Sequence, residues 1–229
     1  RPVRVDVSMV KRLFGMDPTT APVDNPPTPE KIALGKLLYH DQSLSKNGNL
    51  SCASCHDLAN YGVDGKPVSP GSDGKDGERN SPTTYNAFRQ FAQFWDGRAA
   101  TVEEQSTGPM LNAVEHGLAD EAALVEKLKA NPELVAAFGK AFPGDDAVSV
   151  EHFRLAIGAF ERTLVTKSRF DAFLDGDQKA LTNEEKQGLN DFIKVGCITC
   201  HTTRLLGGNM FQVSGLKHPY RARPSAAAS

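Results

Sequence analysis

Two short strings constrain this chain more than anything else in it. They are Cys52-Ala-Ser-Cys55-His56 and Cys197-Ile-Thr-Cys200-His201, and between them they hold all four cysteines. Cys-x-x-Cys-His is the attachment pattern of c-type haem: two thiols add across the porphyrin vinyl groups, and the adjacent imidazole is placed to ligate the iron. A zinc site also uses Cys-x-x-Cys pairs, but the usual linker between such pairs is about 15–20 residues, whereas Cys55 and Cys197 lie 142 positions apart. A thioredoxin-like redox pair needs neither the histidine nor a second copy, and a disulfide across two residues closes a strained loop. The chain therefore reads as the carrier of two covalent c-type haems, bound through Cys52, Cys55, His56 and Cys197, Cys200, His201. Such attachment occurs outside the cytoplasm, so a periplasmic or otherwise exported protein is expected.

Charge and hydropathy exclude other classes. With 26 basic and 28 acidic residues the formal net charge is −2, which argues against a polybasic nucleic-acid or membrane-surface binder. No run of 18 apolar residues occurs, so no membrane span is expected. A chain of 229 residues, 39% of them hydrophobic, can bury one or two cores. Its first residues, Arg1-Pro-Val-Arg-Val, lack an apolar signal region and read as a mature or trimmed start. Residues 221–229 read as a disordered tail or a cloning scar.

The hydrophobic pattern is helical. Residues 1–27 hold Pro18, Pro22, Pro26 and Pro27 and read as an irregular arm. Thr28-Pro29-Glu30 is a helix start, with Thr as N-cap and Pro in the first turn, leading into residues 31–39. Residues 60–82 are rich in Gly, Asp, Ser and Pro and read as a long loop. Apolar spacing predicts one helix over 120–139 (Leu124, Leu128, Leu134, Phe138) and another over 150–164 (Phe153, Ile157, Phe160, Leu164). Thr182-Asn-Glu-Glu185 is a capping box opening a third, running to about Val195. The expected fold class is mostly α: two cytochrome c-like haem domains with long loops. The expected division assigns 29–119 to the first haem domain, and 1–28 plus 120–229 to the second.

Further strings carry a resemblance: Gly48-Asn-Leu-Ser-Cys-Ala-Ser-Cys-His56, Arg79-Asn-Ser-Pro-Thr83, Gln93-Phe-Trp-Asp-Gly-Arg98, Phe160-Glu-Arg-Thr-Leu164 and Gly207-Gly208. Together they resemble the bacterial dihaem cytochrome c peroxidases, including the MauG-like relatives, from about residue 28 to 216. The resemblance implies an N-terminal peroxidatic haem held by His56 and a C-terminal electron-transfer haem held by His201. It implies that hydrogen peroxide is reduced to water with electrons from a small cytochrome c or cupredoxin. It also matches Phe94, Gln105 and Glu115 to the distal pocket, Trp95 to the tryptophan between the haems, and Asn80 to one ligand of a calcium ion. Family members are often homodimers; the residues themselves carry no signal of it.

Chemistry gives some of these roles a reason independent of the name. Peroxide must lose a proton from one oxygen and regain it on the other before the O–O bond cleaves, and a carboxylate can shuttle that proton. Glu115 follows the apolar Leu111, Ala113 and Val114, and partial burial would raise its pKa toward working pH. Gln105 can orient peroxide but not carry protons. Arg98 suits a haem propionate, and a solvated surface role fits it equally. Trp95 suits electron conduction or plain packing, and Asn80, before Ser-Pro, also suits a simple turn.

The chain departs from the family pattern twice. Many members carry a histidine in the 60–82 loop that ligates the peroxidatic iron at rest. Here that position falls on Ser72, and residues 63–78 contain no His, Met, Tyr or Cys. The first iron is expected to be five-coordinate or water-bound at rest, with His116 the one alternative ligand. Secondly, the match ends near Leu216, without the usual C-terminal segment and its axial methionine. Met210 lies nine residues past His201, a short reach to the opposite haem face, and His218 has more slack. Three functions remain open: a dihaem peroxidase; a MauG-like oxidase acting on a large substrate, which a Tyr ligand such as Tyr220 would favour; and a non-catalytic dihaem electron-transfer cytochrome.

Overall fold

A computed structural model describes residues 2–16 and 24–213, together with Gly215 and His218. Among these, ten α-helices run in the order α1 (Val7–Phe14), α2 (Pro29–His40), α3 (Cys52–Cys55), α4 (Val102–Gln105), α5 (Gly108–Leu111), α6 (Glu121–Ala130), α7 (Pro132–Ala141), α8 (Val150–Glu161), α9 (Arg169–Leu174) and α10 (Asn183–Lys194). The expected mostly-α class holds. Pairing between extended segments is confined, among the described residues, to two isolated bridges, Pro70 with Asp76 and Gln93 with Ala99. Tyr220 and the 221–229 tail lie outside the described residues.

The chain divides into two compact units. One comprises residues 24–88 and 92–164; the other comprises 2–16, 89–91 and 165–213 with Gly215. Packing divides the chain at 164/165, where the expected division falls after residue 119. The physical reason is the apolar stripe of α8. Phe153, Ile157 and Phe160 recur at helical spacing and are buried in the same core as Leu34, Leu38 and Tyr39 of α2. Leu124 and Leu128 of α6 and Leu134 and Phe138 of α7 join that core. Residues of α2 and α8 line the cavity that holds the first Cys-x-x-Cys-His string.

Local signals explain the ends. Thr28 caps α2 by accepting from the Lys31 amide, with Pro29 at the start. The single helix expected over 120–139 is two. Asn131 caps α7, its Oδ1 accepting from the amides of Glu133 at 3.0 Å and Leu134 at 3.4 Å, with Pro132 opening the new helix. Proline has no amide to continue α6, and it disfavours helical backbone at the residue before it. α8 stops at Glu161, short of the expected Leu164, which is buried beyond it. The capping box at Thr182 and Glu185 forms as expected.

Two contacts set the larger unit. At Gly35, α2 lies so close to α8 that an added Cβ would sit 2.0 Å from the Ala156 carbonyl oxygen. One turn on, Tyr39 packs edge-on against Phe160, with ring centroids 5.3 Å apart. At the end of α8, Arg162 grips Glu103 of α4 through Nη2 at 2.8 and 2.9 Å and Nε at 3.2 Å. Asn25 adds an amide donor to the same carboxylate at 2.9 Å. Gly158 makes room for that carboxylate, since a Cβ there would meet Glu103 Oε1 at 2.3 Å. Both partners of this ion pair are about nine-tenths buried.

The smaller unit has its own core. Val10 and Phe14 of α1 pack with Phe173 and Leu174 of α9, flanked by Leu189, Phe192 and Ile193 of α10. Beyond the second haem motif the chain is tied back to α1, the Thr203 amide donating to the Leu13 carbonyl at 2.8 Å. Arg204 pairs with Asp171 at 3.2 Å.

Two stability outcomes are expected. Gly35→Ala should lower stability to chemical denaturation by about 1–3 kcal/mol through overpacking. Gly139→Ala, where an added Cβ meets nothing within 4 Å, should raise it by about 0.8–1 kcal/mol through helix propensity. Equal effects of the two would sink the close-contact argument. Arg162→Met should cost about 3–5 kcal/mol by stranding the buried Glu103 carboxylate.

Candidate functional site

A cavity of about 1010 Å³ lies within the larger unit, at the upper end of the ~300–1,000 Å³ range of small-molecule and cofactor sites. Cys52, Cys55 and His56 line it, and so do Phe94, Trp95, Arg98, Gln105, Glu115 and Asn80. These nine residues thus line one space, although their positions run from 52 to 115.

The motif is shaped to receive a haem. Ser51 and Ser54 cap the single turn of α3 reciprocally, which sets Cys52 and Cys55 on the cavity wall. The His56 ring places Nδ1 2.9 Å from the Pro82 carbonyl. A carbonyl only accepts, so Nδ1 carries the proton and Nε2 keeps its lone pair for a metal. Tyr39 steadies the same residue from the other side, its hydroxyl donating to the His56 carbonyl at 2.6 Å. Burial pushes the Cys52 thiol up to about 12 and Cys55 upward, and pushes His56 down. Zinc requires thiolates, and this apolar wall opposes them. It suits thioethers and a neutral imidazole, so the residues fit a covalently attached haem.

Another part of the lining carries the acid–base groups. Residues 112–117 form a tight turn in which the Asn112 carbonyl accepts from the amides of Glu115 and Gly117. Asn112 Nδ2 donates to Glu115 Oε1 at 2.9 Å. Burial raises the Glu115 pKa above the usual carboxylate value, with the Asn112 hydrogen bond and Arg98 opposing. His116 is 5% exposed, its Nδ1 has no hydrogen-bond partner, and burial pushes it down to about 4.

Phe94 sits at φ +67°, a left-handed conformation that is strained for a bulky residue. Its ring lies over Gly108, where a Cβ would approach within 2.8 Å. The Arg98 guanidinium stacks 3.4 Å above that ring and donates to both Asp96 oxygens at 2.8 and 3.0 Å. Trp95 is 64% exposed, with its indole N–H donating to the Asn80 carbonyl at 2.9 Å. Asn80 Nδ2 donates in turn to the Lys66 carbonyl at 2.6 Å.

The 60–82 loop is irregular, as expected, but it is pinned. A Cβ at Gly71 would lie 2.2 Å from the Val114 carbonyl oxygen. The Ser72 amide donates to the Glu115 carbonyl at 2.7 Å, so the loop packs directly on the turn that carries Glu115. The Ser72 hydroxyl bonds Asn49 Oδ1 at 2.8 Å and accepts from the Asn47 amide at 3.1 Å. Ser72 is therefore a clasp and is not part of the cavity wall.

His116, named in the sequence as an alternative ligand, also lines the wall, whereas Tyr39 and Glu161 are wall residues that sequence reasoning missed. The signal for Glu161 was its place one turn after Ile157 on the buried stripe of α8, where a carboxyl interrupts an apolar pattern.

In the smaller unit the second motif follows α10 after Gly196, at φ +89°. His201 repeats the arrangement of His56: Nδ1 donates to the Leu206 carbonyl at 2.8 Å, leaving Nε2 free. Gly207, at φ +138°, brings the backbone against that ring. Cys197 is half-buried and Cys200 exposed. Met210 and His218 are both exposed.

Known proteins share this sequence and architecture. The cytochrome c peroxidase Ccp of Escherichia coli K12 is 41% identical over 204 residues, covering 89% of this chain and 43% of its own length. The cytochrome c551 peroxidase of Pseudomonas aeruginosa PAO1 is 45% identical over 194 residues, covering 83% and 56%. The crystal structure of a MauG-like protein associated with microbial copper homeostasis superposes with a TM-score of 0.73 at 32% identity, covering 86% of this chain and 60% of that one. The chain thus spans about half the length of the curated relatives it matches. Residues 29–179 match the family model of the di-haem cytochrome c peroxidases, and with its two haem-attachment motifs the chain belongs to that family.

Proposed function

We propose that this protein is a c-type dihaem peroxidase that reduces hydrogen peroxide to water. Electrons come from a small periplasmic cytochrome c or cupredoxin, enter at the haem of Cys197, Cys200 and His201, and pass to the haem of Cys52, Cys55 and His56. The observation that carries the proposal is the meeting, in one cavity, of a haem-attachment motif with a buried carboxyl, Glu115, and an amide, Gln105. When bound, the first haem supplies an iron that accepts peroxide oxygen and delivers electrons to it. Glu115 takes the proton from one peroxide oxygen and returns it to the other, with Asn112 holding its carboxyl in place. Gln105 orients the substrate, Phe94 and Arg98 close the pocket, and the Pro82 hydrogen bond strengthens His56 as a donor. Trp95 would serve electron transfer between the haems, and Asn80 would offer an oxygen to a calcium ion. Among the described residues no helix is long and apolar enough to cross a membrane.

A second reading is a MauG-like oxidase acting on a large substrate. The favouring observation is Trp95, which lines the cavity yet is 64% exposed, an aromatic placed to pass electrons outward. Turnover of peroxide with a small redox protein as sole donor separates the two. The reading as a non-catalytic electron-transfer cytochrome is disfavoured by Glu115 and Gln105 in the same cavity.

Two outcomes are expected. Glu115→Gln should lower kcat about 10²–10⁴-fold with two haems per chain retained. Glu115 acts as a base only when ionised, and burial raises its pKa. Wild-type activity should therefore fall, as pH drops, at a higher pH than an exposed glutamate would dictate, and that limb should vanish in the variant. Secondly, Ser72 is clasped to Asn47 and Asn49, so the oxidised protein should react with peroxide in stopped-flow absorbance without prior reduction. No Soret change, with low-spin bis-His signals in the resting EPR spectrum, would mean that His116 or another group caps the iron.

A further inference from the structure

The cavity wall holds a second buried carboxyl that the peroxidase mechanism leaves without a task. Glu161 ends α8 one turn beyond Ile157, and both side chains line the cavity on the same helix face. Glu161 is 7% exposed. No cation on the page is committed to it: its neighbour Arg162 gives its donors to Glu103. The groups that face it are Tyr39 from α2, Cys52 from α3 and Glu103 from α4, with Arg162 at its own helix end. Of these only Arg162 carries a compensating charge, acting at a distance because its donors are spent on Glu103, while Glu103 adds a like charge. Burial, with Glu103 nearby, pushes its pKa up to about 8 against the opposing charge of Arg162, so the carboxyl is poised to gain or lose a proton close to neutral pH.

An apolar site resists any change in its net charge. Adding an electron to a group in this cavity makes the site more negative, and a proton taken up beside it cancels the change. We propose that Glu161 is the redox-linked proton acceptor of the first haem site, gaining a proton as the haem on Cys52 and Cys55 gains an electron. The inference rests on that cavity holding its haem, as the functional reading requires. The step balances. One electron arrives from a one-electron donor, one proton passes from solvent to a Glu161 oxygen, an O–H bond forms, and the charge of the site is unchanged. Because peroxide reduction consumes a proton for every electron, Glu161 would store at the cavity wall what the chemistry draws on. It is a positioning group for charge and does not touch peroxide in this account.

The test is spectroelectrochemical titration of the holoprotein across pH on either side of about 8, with both haems followed. One haem should have a midpoint potential that falls with rising pH, approaching one proton per electron at its steepest. Glu161→Gln, uncharged at every pH, should hold that haem at the high-potential plateau and abolish the slope, whereas Glu115→Gln should keep it. The redox-induced infrared difference spectrum should show a protonated-carboxyl band growing on reduction in wild type and missing from Glu161→Gln. A wild-type potential independent of pH overturns the proposal without recourse to any variant. So does a slope that survives Glu161→Gln or vanishes in Glu115→Gln. A pyridine haemochrome assay keeps the failures apart: two haems with a flat potential overturn this inference alone, and no haem on Cys52 and Cys55 overturns the functional reading with it.

Discussion

At Gly35 the backbone of α2 comes so near α8 that a single methyl group would overlap the Ala156 carbonyl, and much of the larger unit depends on that approach. Side chains cannot intervene, so Leu34 and Leu38 interlock directly with the Phe153, Ile157 and Phe160 stripe. The two helices then present their far turns to one space. Tyr39 reaches the His56 carbonyl from α2, and Ile157 and Glu161 line the wall from α8. A looser crossing would bring neither the hydroxyl nor the carboxyl to the motif.

Around this frame the buried titratable groups of the cavity are held toward their uncharged forms. Burial moves the thiols and carboxyls up and the histidines down, in each case toward the uncharged form. Behind the wall, the buried Glu103 carboxyl is matched by Arg162 and Asn25. Such a space suits a large, largely apolar cofactor and magnifies any charge introduced into it. The same turn that displays Glu115 is braced by Gly71 and Ser72, so the long glycine-rich loop is a structural prop for the acid–base group. Its length, unusual for a loop, has a physical purpose in that support.

Much of this was legible in the residues. Both haem motifs, the caps of α2 and α10, and the helical stripes could be read from spacing and residue type, because they depend on chemistry a few positions away. The candidates Glu115, Gln105 and Phe94 came from resemblance and Arg98 from the chemistry of its guanidinium, and all four line one cavity. The break at Asn131-Pro132 was also readable and was passed over, since the apolar spacing runs unbroken through it. The division of the chain was not readable. Residues 120–164 carry a pattern that fits any apolar partner, and only the packing of α8 on α2 assigns them to the first motif.

By itself, then, the sequence determined the covalent chemistry and the local geometry of the helices, because thiol spacing, capping and periodicity act over a few residues. Only the tertiary structure decided which distant groups share a low-dielectric space. Ser72 became a clasp because Asn47 and Asn49 lie beside it. Glu161 became a buried acid with a raised pKa because α8 turns that face inward and Arg162 is engaged elsewhere. Burial and partnership are properties of neighbours far apart in the chain, and those neighbours exist only once it has folded.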